Sequence, residues 1–185
     1  MKFINSIIII LITVTLSFGL INDTIITNDS ILIVDYYKSG NPKLESYYKI
    51  AITNTSDTVY LATGKQTKYF KSGIIQATLY FRNGKPNGEC QIFYKDGSIE
   101  KEFNYIDGLV NGPYKFYYKN GNLKREGTFR NDLDFGVCKK YHENGNIAII
   151  EIYNDDGIQN GIVKFYNKDG ILEKEVSMYD GKTKN

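Results

Sequence analysis

Few side chains in this sequence carry chemistry of their own. The single histidine, His142, and two cysteines, Cys90 and Cys138, are the candidates for a base, a nucleophile or a metal ligand. A catalytic histidine needs a hydroxyl, thiol or carboxylate set around it. His142 instead occupies a position filled by Phe70, Tyr94, Tyr118 and Asn167 at regular spacing, so it reads as a column filler. The acidic runs at 131–134 and 154–156 invite a Ca²⁺ reading, yet neither has the alternating ligands and terminal Glu of a calcium loop. They read as solvated turns. Glycine-rich stretches such as FYKDGSIEKEFNYIDGLVNG, residues 93–112, would cradle a phosphate only if they opened a helix, and each leads into alternating polar and apolar residues. No catalytic residue, metal or cofactor is expected, and the chain reads as a non-enzyme.

What remains is the framework that carries these residues. At 185 residues the chain is long enough for a leader and one domain with a real core. A net charge of +2, with basic and acidic residues interleaved, gives no electrostatic case for nucleic acid. The 16 Tyr, 10 Phe and 17 Gly against 3 Pro favour strands joined by glycine turns. The opening MKFINSIIIILITVTLSFGL sets one Lys before an apolar run and small residues after it, the outline of a signal peptide over residues 1–19. An uncleaved membrane anchor is the rival reading. Either one implies export, to the periplasm, the envelope or beyond.

The glycines fall into columns. Gly73, Gly97, Gly121, Gly145 and Gly170 follow one another at 24, 24, 24 and 25 residues, and Gly64, Gly88, Gly112, Gly136 and Gly161 keep the same spacings. A third column, Gly84, Gly108, Gly157 and Gly181, is interrupted by Asp132. Four residues before each turn glycine of the first column stands an aromatic: Tyr69, Phe93, Tyr117, Tyr141 and Tyr166. Two residues after it stands Ile75, Ile99, Leu123, Ile147 or Leu172. Between them the alternation has the period of a strand, so each unit is a β-hairpin.

The aromatic-x-x-Gly-x-x-x-Gly pattern of Phe81, Gly84 and Gly88, repeated in Tyr105, Gly108 and Gly112, resembles the MORN repeat. With stretches such as YYKNGNLKREGTF it is similar to the variant in bacterial YwqK-type proteins. The likeness covers residues 64–185 in five units, after an N-terminal cap over 20–63 whose YYKSGNPKLESYYK looks like a degenerate unit. It implies an all-β, elongated antiparallel sheet of stacked hairpins behind an N-terminal signal helix. It also implies a protein-binding scaffold, with an antitoxin that neutralises a partner toxin as the sharper alternative. Envelope or membrane-lipid attachment is a third role, which the even charge disfavours. In such a sheet Cys90 and Cys138, two units apart, stand roughly 19 Å from each other and cannot bridge.

Two turn geometries compete. A two-residue Asp96–Gly97 turn sets Lys115 opposite Glu126 and Lys164 opposite Glu175, and puts Tyr94, Ile99, Ile92 and Phe103 on the apolar face. A three-residue turn packs Phe93 beside Ile99 but opposes Lys115 to Arg125 and Lys164 to Lys174. The charges favour the first. The column from Tyr69 to Tyr166 then lies exposed among lysines, either as a binding strip or as a stack that stiffens the sheet. Ile150 and Ile152 are the second binding candidates. If the extra residue of the fourth unit follows Tyr153, then Ala148, Ile150 and Ile152 form an exposed patch; if it is a mid-strand bulge they turn inward. The partner is another protein, and an apolar face on a single sheet also invites cover from residues 23–63 or from a second copy.

Overall fold

The computed structural model of the chain describes residues 8–11, 18–21, 24–52 and 58–183, and every regular element among them is a strand. The chain divides into two compact units after Gly88. In the first, β1 (Ile8–Leu11), β3 (Thr24–Tyr36), β4 (Pro42–Ile52), β5 (Thr58–Tyr69) and β6 (Ile75–Arg82) follow one another, with β2 (Phe18–Ile21) also on β3. The signal helix expected over residues 1–19 lies largely outside the described residues, whose only pieces there, β1 and β2, are strands. The fragment seen as a degenerate unit closes hairpin β3–β4.

Strand β7 (Lys85–Phe93) crosses the boundary. The second unit continues through β8 (Ile99–Ile106), β10 (Gly112–Tyr117), β11 (Leu123–Arg130), β12 (Leu133–Tyr141), β13 (Ile147–Tyr153), β14 (Gly161–Tyr166), β15 (Leu172–Tyr179) and β16 (Lys182–Thr183). A short β9 (Leu109–Val110) pairs with β8. Every registered pair is antiparallel, and apart from β2, which pairs with β3, and β9, which pairs with β8, the strands within each unit pair in chain order, which is the stacked-hairpin sheet the repeat implies.

The turns combine both geometries foreseen for them. Tyr118 N–H donates to the Asn122 carbonyl at 2.8 Å and Gly121 N–H to the Tyr118 carbonyl at 2.9 Å, so Lys119, Asn120 and Gly121 form a three-residue loop. The same bonds recur from Tyr94 to Ser98, His142 to Asn146 and Asn167 to Ile171. The two-residue turn favoured by the charges is therefore overturned. Its charge pairing nonetheless survives: Tyr117 lies opposite Leu123, a bulge at Lys124 follows, and beyond it Phe116 faces Arg125 and Lys115 faces Glu126. Hairpin β14–β15 repeats this, with Tyr166 opposite Leu172 and Lys164 opposite Glu175. The bulge absorbs one residue, so the loop gains its left-handed glycine and the lysines still meet carboxylates. By the same register the column of Ile99 sits opposite the column of Phe93, not on the face of Tyr94 and Ile92. At the turn glycines φ is 87°, 90°, 86°, 92° and 81° for Gly73, Gly97, Gly121, Gly145 and Gly170, a region that costs any other side chain energy.

The opposite ends of the hairpins are joined by two-residue turns with both φ values positive, as at Asp107–Gly108 (49° and 96°). Asn131 and Asp132 adopt 50° and 68°, so the missing glycine of the third unit leaves its hairpin regular. In the fourth unit the extra residue follows Tyr153. Asn154 N–H bonds the Ile158 carbonyl at 2.9 Å and Gly157 N–H the Asn154 carbonyl at 3.1 Å, which makes this connection a three-residue loop as well.

Candidate interaction surface

Register divides the second unit into an apolar face and a charged face. On the apolar face one column is buried: Tyr114 is 2% exposed, Cys138 1% and Val163 4%. Each opposes a residue whose size complements it: Tyr114 faces Gly127, Cys138 faces Glu151, and Val163 faces Val176. Tyr114 stacks on Phe129 at 4.2 Å, and a Cβ added at Gly127 would lie 2.7 Å from its Oη. Its hydroxyl donates to Asp134 Oδ1 at 2.7 Å, and Arg125 closes the cluster with Nη2 at 2.7 Å from Asp134 Oδ2 and Nε at 3.2 Å from Cys138 Sγ. Burial, with Cys138 and Asp134 beside it, pushes the Tyr114 phenol far up. Cys138 and Cys90 are buried free thiols, and burial raises that of Cys90 to about 11. These groups are consumed by packing and by one another.

His142 is also accounted for. Its Nε2 lies 2.9 Å from the Tyr166 carbonyl, to which it must donate, as the Tyr94 hydroxyl donates to the Tyr117 carbonyl and the Tyr118 hydroxyl to that of Tyr141, both at 2.7 Å. Turn asparagines add a second ladder: Asn144 and Asn146 Nδ2 both donate to the Lys168 carbonyl at 2.7 Å. The acidic runs cap turns, with Asn154 Oδ1 accepting from Asp156 and Ile158 N–H, and among the described residues no acidic or histidine cluster could hold a metal ion.

On the charged face, the column Tyr69, Phe93, Tyr117, Tyr141 and Tyr166 is half-buried instead of exposed. Its hydroxyls reach back to a carboxylate column: Tyr69 to Glu45 at 2.9 Å, Tyr117 to Glu102 at 2.9 Å, and Tyr141 to Glu126 at 2.6 Å. Burial and these carboxylates raise the phenols of Tyr117 and Tyr141 to about 12. The expected strip of exposed aromatics is therefore corrected: the column is half-buried, and the hydroxyls of Tyr69, Tyr117 and Tyr141 are bound to glutamates of the preceding hairpin. Glu126 forms a hub, facing Lys115, within 3.8 Å of Lys139 and holding Tyr141.

The fourth unit inverts this pattern. Ile150 takes the place of the hub carboxylate, opposite Lys139 on one side and Lys164 on the other. Glu151 turns to the apolar face, 5% exposed, where both of its oxygens approach Lys140 Nζ, at 3.0 and 2.9 Å, and Oε1 also accepts from Gln159. Tyr166 stands in the aromatic column with no carboxylate before it. On the charged face Val137 is 53% exposed, Ile152 36% and Ile162 45%, with Val137 directly opposite Ile152. Of the expected patch, Ile152 is exposed, Ile150 is half-buried between the lysines, and Ala148 is taken up by the bulge. Sequence reasoning missed Val137 and Ile162, which lie in strands that each seemed ordinary alone; the signal was their registration beside Ile152.

With this geometry the repeat acquires its name. The MORN repeat variant matches residues 86–107, 110–131, 136–155 and 159–180, four successive copies spanning half of the chain. The chain belongs to the MORN repeat variant family. Each matched copy covers one hairpin, from its first strand through its second: β7–β8, β10–β11, β12–β13 and β14–β15, so the family signature follows the hairpin period seen here. No curated protein matches the chain. Among the MORN copies, the third, 136–155, is the one that carries Ile150 and Ile152.

Proposed function

We propose that this MORN-repeat chain is a non-catalytic binding scaffold that recruits another protein through the charged face of strands β12 to β14. The observation that carries this reading is the row of Val137, Ile152 and Ile162, three large apolar side chains left 53%, 36% and 45% exposed on the same face as Lys139 and Lys164. Apolar side chains gathered on an exposed surface and rimmed by polar groups mark interaction sites. Titratable groups elsewhere are committed to packing, as Cys138, Tyr114, Arg125 and His142 illustrate. The signal-like residues 1–19 support an encounter outside the cytoplasm.

A photoreactive side chain introduced at position 152 or 162 tests the site. Crosslinking to one protein from these two positions, and not from Glu143 in an exposed turn, is the expected result. Equal yield from position 143, or none from 152 and 162, would remove the basis for the proposal.

A further inference from the structure

The missing carboxylate of the fourth hairpin specifies the chemistry of the partner. Twice in succession a glutamate on the charged face collects the tyrosine hydroxyl of the next hairpin: Glu102 receives Tyr117 and faces Lys115, then Glu126 receives Tyr141 and lies 3.8 Å from Lys139. At the third occurrence Ile150 replaces the glutamate, while the surrounding groups persist as Lys139, Lys164 and Tyr166. On their charged-face positions from Val137 to Tyr141, Ile147 to Ile152 and Ile162 to Tyr166, strands β12, β13 and β14 carry two lysines and no acid. The outward sides of those lysines lean on Glu126 and on Glu175, at 3.8 and 3.1 Å, whereas Ile150 between them offers no carboxylate.

We infer that this face takes an acidic amphipathic helix of a partner protein, whose carboxylates replace the absent glutamate while its apolar residues cover Ile150, Ile152, Ile162 and Val137. The inference rests on the scaffold reading above. Spacing favours a helix over a strand. Lys139 and Lys164 flank Ile150 on neighbouring strands, so their backbones are about 10 Å apart. Helical residues seven apart share a face and are separated by about 10.5 Å. Same-face positions of an extended chain recur every 7 Å or so and miss this interval. Helical positions three and four residues after the first carboxylate fall between the two acids, over the isoleucines.

The probe is an 18-residue helical peptide with Glu at positions i and i+7 and Leu at i+3 and i+4, titrated against the full chain labelled at its isoleucine methyl groups. The expected result is selective shifts at Ile150, Ile152 and Ile162, with binding weakened at least tenfold in Ile150→Glu and in the Lys139→Glu, Lys164→Glu pair. Ile150→Glu restores the residue type of Glu102 and Glu126, so it keeps the fold; unchanged β-sheet circular dichroism verifies this. A matched peptide with Lys for Glu should bind at least tenfold more weakly. Absence of shifts with the acidic peptide, equal binding of the basic one, or undiminished affinity in Ile150→Glu would each overturn the inference. Persistence of the position-152 crosslink in both charge variants would show that the scaffold reading stands and the acidic-helix chemistry does not.

Discussion

Hairpins β10–β11 and β12–β13 share one period, one turn and one bulge, yet they solve the same packing problem with opposite polarity. In the first, Glu126 faces the charged side and Gly127 the apolar side, where the ring of Tyr114 fills the space a side chain would need. In the second, Ile150 faces the charged side and Glu151 is buried against Cys138, held by Lys140 and Gln159. A repeat that needed only to stack would gain nothing from burying a carboxylate and exposing isoleucines, because desolvating the charge offsets most of what the ion pair returns. Hairpin β12–β13 therefore departs from the stacking rule, and the departure coincides with the exposed apolar row.

The largest effect should come from stranding the buried charge. Lys140→Ala leaves Glu151 buried without its cation and should lower stability by about 3–5 kcal/mol in urea unfolding. Glu151→Val, which installs the residue type of Val176, should cost far less or stabilise. If the two substitutions cost the same, the pair is not the reason Glu151 tolerates its position.

In the regular hairpin, Gly127→Ala drives a methyl group to 2.7 Å from the Tyr114 hydroxyl and should cost about 1–3 kcal/mol. Adding Tyr114→Phe removes that nearest atom and should recover part of the loss. Smaller again is the contrast within the aromatic column. Tyr141→Phe breaks the 2.6 Å bond to Glu126 and should cost about 1–2 kcal/mol. Tyr166→Phe, in the hairpin that follows Ile150 instead of a glutamate, should be nearly silent in the same thermal unfolding assay.

The mildest effect is on the alkaline limb. Folding raises the Tyr117 and Tyr141 phenols to about 12 from a model-compound value of 10. A raised pKa means the folded state holds its proton more tightly. The contribution is therefore complete below about pH 10 and disappears as pH climbs through 12. Stability measured from pH 9 to 12 should fall more steeply in the native sequence than in a Tyr117→Phe, Tyr141→Phe variant, and parallel curves would refute this linkage.

Much of the architecture was legible in the glycine and aromatic columns, because each marks a constraint local to one hairpin. Gly97 and its column-mates sit in the left-handed region, and alternation such as that of SIEKEFNY is a strand period. The turn was less legible, since two local rules conflicted: charge pairing asked for two residues and the Phe93 and Ile99 columns for three. The bulge satisfies both, and no single hairpin's sequence announces a bulge. The binding candidates suffered from the same gap. The direction of the Tyr117 and Tyr141 rings depends on carboxylates one hairpin back, and Val137 gains meaning only when it lies opposite Ile152.

By itself, then, the sequence determined the period, the hairpin, the antiparallel sheet and the family, all of which follow from residues close together in the chain. Tertiary structure alone decided which residues share a face and which of them remain uncovered. The physical reason lies in the strand repeat of two: a single bulged or inserted residue exchanges the two faces for every position beyond it. Thus Ile150 and Glu151, adjacent in the chain, ended on opposite sides of the sheet, one half-buried between Lys139 and Lys164 and one sealed against Lys140.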